Sequence, residues 1–406
     1  MTISSNENKQ RVKKYLGLEN VSVLAGAGTS WHLGAPVIRS IPDGLKKSCE
    51  KDVKTYFGVG KTPSYEDLLN CLQADRFIKR MKGESTNEIE SSIKRMQKWL
   101  FDNCNTEKTK LNITDNDRLN KNRYHFHETF LKRLLQRPNN LKRANLFTTN
   151  YDMAFDYALD NLGIHYINGF MGVHNRCFRP EVYDYDLFYP GQSVSGKVYR
   201  AEKVLKYYKI HGSLSWLATK PSVSNTYGIK EIPLNDEFQI DSENELMIYP
   251  CVSKKSFTLD LPYSELFRQF SQTINQPQSV LFCLGYSFYD EHINDIIKQA
   301  LSIPSFTLII ANYSQSVEVN SPIDELRKLN DKRIIILDET DSTQSTFIGF
   351  IDNVMPDLYE EEENEVIANT MQSLYKKEST KYDQPALQAE TNKEEKQTED
   401  NDDLPF

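Results

Sequence analysis

The sequence predicts an α/β fold: a doubly wound parallel sheet with a large helical insertion, followed by a disordered acidic C-terminal tail. Three observations predict it. Short apolar runs at Val21–Ala25, Asn145–Thr149, Lys206–Ile210, Val280–Leu284, Phe306–Ala311 and Arg333–Leu337 are β-branched or aromatic and bounded by turns, as buried parallel strands are. Helical segments separate several of these runs, which is the alternation of a doubly wound sheet. The first run ends in the small-residue turn Gly26-Ala27-Gly28-Thr29-Ser30, the corner expected where a Rossmann-like strand leaves the sheet.

Taken in order, residues 1–20 are polar and read as an N-terminal arm or short helix. Residues 21–355 read as one domain on the sheet. Within it, residues 44 to about 140 read as a helical insertion packed on the sheet. Ile89, Ile93, Met96 and Leu100 fall on one face of an amphipathic helix, and Phe130, Leu131, Leu134 and Leu135 mark another. Trp99 and Phe101 are then core residues. The segment 156–205 is rich in Tyr, Phe, Gly and Asn with weak periodicity, and reads as a loop-rich subdomain. Residues 218–245 are polar and turn-rich, Met247–Val252 reads as a further strand, and Tyr263–Gln272 as a helix. Residues 356–406 read as a disordered tail.

Composition narrows the function classes. The chain has 406 residues, enough for two or three domains' worth of core, and its 39% hydrophobic and 26% charged content is that of a soluble chain. No apolar run approaches the roughly 20 residues that span a bilayer. The polar N-terminus lacks the apolar core of a signal peptide, so the expected location is the cytoplasm, with no membrane contact. From Asp357 onward, 15 acidic residues face 5 lysines; with a net charge of −8 overall, the body is near neutral and offers no nucleic-acid surface on charge alone. The six cysteines form no Cys-x-x-Cys pair, and His125 and His127 diverge on a helix, so no metal site is expected.

Chemistry is expected at the carboxyl ends of the strands. Ala25 leads into Gly26–Ser30, Thr149 into Asn150–Asp152, Ile210 into His211, Leu284 into Gly285-Tyr286-Ser287, and Ala311 into Asn312. The glycines would let backbone N–H groups approach a pyrophosphate, and a following helix N-terminus would add its dipole. Singly, each feature has a plain structural reading. A His before Gly is a turn histidine, Asn-x-Asp after a strand is an Asx turn, and Ser287 is a cap for the helix containing His292–Ile297. Five strand ends of this kind from distant sequence point to one ligand.

The motifs carry a resemblance. Sirtuins have Gly-Ala-Gly-Ile-Ser, three residues, then Gly-Ile-Pro-Asp-Phe-Arg; this chain has Gly26-Ala27-Gly28-Thr29-Ser30, three residues, then Gly34-Ala35-Pro36-Val37-Ile38-Arg39. Thr148-Thr149-Asn150-Tyr151-Asp152 and His211-Gly212 follow in the sirtuin order. The chain resembles the sirtuin-like family over about residues 21–340, and more closely its bacterial NAD-consuming defence branch. The resemblance implies that Gly26, Ala27, Gly28, Thr29 and Ser30 line the phosphates of NAD. Arg39 would sit in the cofactor loop, and Gly285, Ser287 and Asn312 against the adenosine half. Asn150 would orient water or the nicotinamide ribose, Asp152 would hold the carboxamide, and His211 would contact the ribose hydroxyls as a base.

The departures point to water as acceptor. Val37-Ile38 replaces the deacetylases' Asp-Phe, the four zinc cysteines after His-Gly are absent, and Tyr249-Pro250-Cys251-Val252-Ser253 stands where a Phe-Gly-Glu segment would pair with an acylated peptide. The expected reaction is cleavage of NAD+, as substrate and without metal, to nicotinamide and ADP-ribose. The alternatives are an NAD-dependent protein deacylase and a non-catalytic NAD or ADP-ribose sensor. The defence resemblance implies NAD depletion during phage infection, with activity governed by assembly as a homo-oligomer or with a HerA-family ATPase. The chain ends Asp402-Asp403-Leu404-Pro405-Phe406, similar to the acidic Pro-Phe tip of bacterial single-stranded-DNA-binding proteins. That tip implies docking of Leu404-Pro405-Phe406 on a genome-maintenance protein with a basic-rimmed pocket.

Overall fold

The computed structural model describes residues 5–38, 40–113, 116–191, 198–234, 245–248 (backbone only) and 262–360. The chain divides into two units, Met1–Leu358 and Tyr359–Phe406, and every element below belongs to the first. Of the second unit only Tyr359 and Glu360 are described; the expected tail 356–406 is described only to residue 360, where Pro356 is buried and Asp357 and Leu358 bond to Gln136, and residues 361–406 with the tip lie outside the described residues.

Seven strands form the central sheet: β1 (Asn20–Ala25), β2 (Asn145–Thr148), β3 (His165–Ile167), β4 (Val204–Lys209), β5 (Ser279–Leu284), β6 (Thr307–Ala311) and β7 (Ile334–Ile336). Their order is β7-β6-β5-β1-β2-β4-β3, and each neighbouring pair is parallel. The expected doubly wound sheet is therefore present. β1 lies in its middle, flanked by β2 on one side and by β5, from the far end of the chain, on the other. This is the topological switch point, where the strand ends open a crevice.

Alternation along the strands makes two apolar faces. Val21, Val23 and Ala25 of β1 join one core with Val280, Phe282 and Leu284 of β5, under helices α6 (His125–Leu134) and α7 (Ala154–Asn161). Leu24, Phe147, Leu281 and Cys283 point to the other face, covered by α8 (Tyr263–Ile274) and α9 (Glu291–Ala300). Helices α2 (Asp43–Phe57), α3 (Tyr65–Lys82) and α4 (Asn87–Cys104) share a third core. In α4 the expected stripe Ile89, Ile93, Met96 and Leu100 is buried, while Trp99 and Phe101 are only partly so.

The helices of the insertion do not all rest on the central sheet. The α2–α4 core closes on Leu214 and Leu217 of the strand Gly212–Ala218, whereas α6 packs on the sheet itself. Gly212–Ala218 belongs to a second, antiparallel sheet with Glu245–Ile248, Ile229–Glu231, Arg176–Phe178 and Phe170–Met171. So the loop-rich reading of 156–205 gives way to α7, the edge strand β3 and short hairpins. No helix among the described residues is long and apolar enough to cross a membrane.

The turns after β1 and β5 touch backbone to backbone. Gly26 N–H donates to Leu284 O at 2.9 Å and Gly28 N–H to Gly285 O at 3.0 Å. A Cβ on Gly26 would come within 2.5 Å of Gly285 O, and one on Gly28 within 2.8 Å of Gly285 Cα. Gly285 itself has φ +58°, and a Cβ there would lie 2.7 Å from Gly28 Cα and Thr29 N. Gly163 has nearly the same φ, +59°, but nothing within 4 Å of such a Cβ. Gly163→Ala should therefore cost about 1 kcal/mol, the left-handed penalty alone. Gly285→Ala should cost about 1–3 kcal/mol more, because the backbone of the facing turn must move. Denaturant unfolding of the two variants checks this; equal losses would contradict the contact's importance.

Candidate active site

A cavity of about 1260 Å³ opens over the carboxyl ends of β1, β2, β5 and β6. Small-molecule pockets usually hold about 300–1,000 Å³, so this one has room for a dinucleotide. Ala27, Gly28, Asn150, Asp152, His211, Gly285, Ser287 and Asn312, expected from sequence to share one site, all line it. Thr29 and Ser30 are fully buried and reach the site through Asn150; Gly26 is held against the turn after β5. Arg39 lies outside the described residues. No α-helix follows the glycine turn: two short 3₁₀ turns, Ala27–Thr29 and Trp31–Leu33, run on instead. An α-helix dipole at the turn is thus not available, and the N–H groups of Gly26, Gly28, Thr29 and Ser30 already donate to carbonyl oxygens of the chain, which corrects the expectation that this turn offers its amides to a pyrophosphate.

Asn150 lines the cavity and is buried. Its Nδ2 donates to Thr29 Oγ1 at 3.1 Å and to Ser30 Oγ at 3.2 Å. Thr29 Oγ1 donates to Gly26 O at 2.8 Å, so toward Asn150 it can only accept. The amide orientation is thereby fixed, and Oδ1 is left as a buried acceptor with no protein partner. A buried carbonyl oxygen without a donor costs about 1–3 kcal/mol, which a ligand hydroxyl, an N–H or a water would recover. A ligand that presents a hydroxyl or an N–H at this point fits the chain.

Asp152 stands two residues on. Its carboxylate accepts from Ala154 N–H at 3.0 Å, and burial pushes its pKa up, opposed by Lys209, by that N–H and by the Ser30 hydroxyl. Lys209, at the end of β4, is buried and forms an ion pair with Asp156 at 3.0 Å, while its ammonium also donates to Asp152 O. Tyr207 Oη donates to the same Asp156 oxygen at 2.9 Å. Lys209, Asp156 and Tyr207 thus anchor the Asp152 backbone from below. The sequence reading missed them; a lysine and an aspartate in otherwise buried segments were the available signal.

His211 follows β4. Its Nε2 lies 3.0 Å from Asp290 Oδ2, and both residues are buried. Asp290, not Ser287, caps α9: its Oδ1 accepts from His292 N–H at 2.9 Å and Ile293 N–H at 3.2 Å. Ser287 lines the cavity without capping. Among the described residues no group of three His, Cys, Asp or Glu side chains could hold a metal ion, and the five described cysteines are free thiols. Burial pushes the thiols of Cys104 and Cys283 up, which keeps them unreactive.

In the cavity wall, which His32 and Phe347 both line, His32 stacks on His127, ring centroids 5.3 Å apart, with Phe126 and Phe347 around them. His32 Nε2 and both His127 ring nitrogens lack hydrogen-bond partners. Burial, with Arg123 nearby, lowers the His32 pKa to about 3, and burial pushes His127 well below its ordinary value.

Residues 144–337 match the family described as SIR2-like domain. The match takes in Asn150, Asp152, His211, Gly285, Ser287 and Asn312. Among solved structures, the chain is similar to a Sir2 homologue crystallised with NAD, at 14% identity over 86% of this chain and 94% of that one, TM-score 0.40. It is also similar to a Sir2 homologue variant in complex with ADP-ribose, at 13% identity over 85% and 96%, TM-score 0.38. A search of curated proteins gave no match.

The buried histidines make stability depend on pH. Unfolded histidine titrates near pH 6.5, and the folded His32 only near 3, so between these values the unfolded chain binds a proton that the folded chain refuses. Stability is full above about pH 6.5 and falls on acidification. At pH 5 the loss from His32 should be about 2 kcal/mol. Denaturant unfolding at pH 7 and pH 5 should show His32→Phe losing about 2 kcal/mol less than the wild type; identical losses would contradict the assignment.

Proposed function

We propose that this chain is an NAD+ glycohydrolase, cleaving NAD+ to nicotinamide and ADP-ribose. The observation that carries the reading is Asn150 Oδ1: a buried acceptor, fixed in orientation, without a partner, in a cavity that His211 and Asp152 also line. The SIR2-like match over the same residues supports it.

In this reading the bond between ribose C1′ and the nicotinamide nitrogen breaks, and its electron pair leaves with nicotinamide, neutralising the pyridinium. Positive charge develops on the ribose, where the polar surroundings of Asp152 and His211 favour it. A water held by Asn150 Oδ1 forms the new C1′–O bond and gives one proton to His211, which passes it to solvent. The net change is NAD+ plus water to nicotinamide, ADP-ribose and a proton. Asp152 holds the carboxamide, and the turns with Gly26–Ser30, Gly285, Ser287 and Asn312 take the pyrophosphate and adenosine, with Arg39 in the cofactor loop. The missing zinc cysteines and Phe-Gly-Glu segment favour water over an acylated peptide as acceptor.

The physiological part of the proposal is NAD+ depletion and growth arrest in anti-phage defence. Activity would be released by homo-oligomer assembly or by a HerA-family ATPase. The Leu404-Pro405-Phe406 tip would dock on a genome-maintenance protein. Turnover by purified protein is the test. Wild type should release nicotinamide and ADP-ribose in equal amounts, and Asn150→Ala and His211→Ala should lower turnover about 100-fold or more. Product formation only with an acylated peptide, or unchanged turnover in both variants, would overturn the reading.

A further inference from the structure

The contact between His211 and Asp290 joins two parts of the chain that the sequence keeps 79 residues apart. Asp290 Oδ1 is committed to two backbone N–H groups at the start of the ten-residue helix α9. These bonds, with the positive end of the helix, hold the carboxylate ionised and fix its plane. Its other oxygen, Oδ2, therefore faces His211 Nε2 as an acceptor only, at 3.0 Å.

We infer that Asp290 is a positioning residue for His211: it fixes the imidazole as the Nε2–H tautomer and leaves Nδ1 as the atom that takes a proton. The inference rests on the proposed hydrolase only for its effect on turnover. An ionised carboxylate cannot donate, so the ring nitrogen opposite must. In the neutral ring the lone pair is then on Nδ1. When Nδ1 accepts a proton from water or a ribose hydroxyl, the resulting imidazolium sits against a buried carboxylate. The proton leaves from Nδ1 to solvent, and Nε2–H is never broken. Asp290 touches no reacting atom in this scheme and acts through the ring.

Substitution can separate this role from helix capping. In Asp290→Asn the amide oxygen keeps the two capping bonds, because asparagine caps as well as aspartate. The group facing His211 becomes an NH₂ donor, so Nε2 must accept and the proton moves to Nδ1. Asp290→Ser also keeps a cap but presents no forced partner to the ring. A purely structural Asp290 would leave Asn and Ser alike.

The experiment measures the ¹⁵N shifts of the His211 ring and steady-state NAD+ turnover in wild type, Asp290→Asn and Asp290→Ser. The expected result is protonated Nε2 in wild type and protonated Nδ1 in Asp290→Asn, with melting temperatures close to wild type. In turnover, kcat should fall about 100-fold or more in Asp290→Asn and less in Asp290→Ser, with KM within about threefold. The same tautomer in wild type and Asp290→Asn overturns the inference, as does equal loss of kcat in the two variants. A tautomer switch with unchanged kcat overturns it too. If the tautomer switches but wild type never turns over NAD+, alone or with added partner, the hydrolase reading falls and the assignment of the ring proton stands.

Discussion

The site depends on one close approach. At the middle of the sheet, the turns leaving β1 and β5 meet with no side chain between them, because Gly26, Gly28 and Gly285 have none to interpose. The contact extends the parallel ladder past the strand ends, Gly26 N–H to Leu284 O and Gly28 N–H to Gly285 O. It sets the floor of the crevice where the strand order reverses. A larger residue at any of the three would push the turns apart and move the walls of the cavity with them. The glycines thus have a role the sequence alone does not suggest: they serve the approach of one backbone to another.

From that floor a chain of hydroxyls and amides runs toward the ligand side. Gly26 O accepts from Thr29, Thr29 and Ser30 accept from Asn150, and Ser30 also supports the Asp152 carboxylate. Below, the buried pair Lys209–Asp156 and the Tyr207 hydroxyl hold the Asp152 backbone. Networks of this kind stabilise a fold only when nearly every member is satisfied. Here one member, Asn150 Oδ1, is left over, on a residue that lines the cavity. A single unsatisfied atom in an otherwise paired network calls for a partner, a water, an ion or a ligand.

Much of this was legible in the sequence, and what was not has a physical reason. The buried strands announced themselves as apolar runs because both of their faces are covered. The edge strand His165–Ile167 has three residues, one exposed and one half-exposed, and so left no pattern to read. Gly212–Ala218 alternates Ser213, Leu214, Ser215 and Trp216, a period-two signal, but its serines are as buried as its apolar residues and it pairs outside the central sheet. The cavity-lining residues at strand ends could be read because each follows a recognisable run. Asp290 could not: in sequence it is one more acidic residue before a helix, and its meeting with His211 exists only in the fold. The same holds for His32 beside His127, which spacing along the chain would never pair.

The central claim is that water, held at Asn150 Oδ1, takes the place of any other nucleophile. The most direct measurement is turnover of NAD+ in H₂¹⁸O with mass analysis of the ADP-ribose formed. The account predicts one ¹⁸O atom in the product, retained on the ribose carbon that carried nicotinamide and exchanging only slowly afterwards. ADP-ribose carrying no label at early times, or a product bearing an acyl group instead, would contradict it.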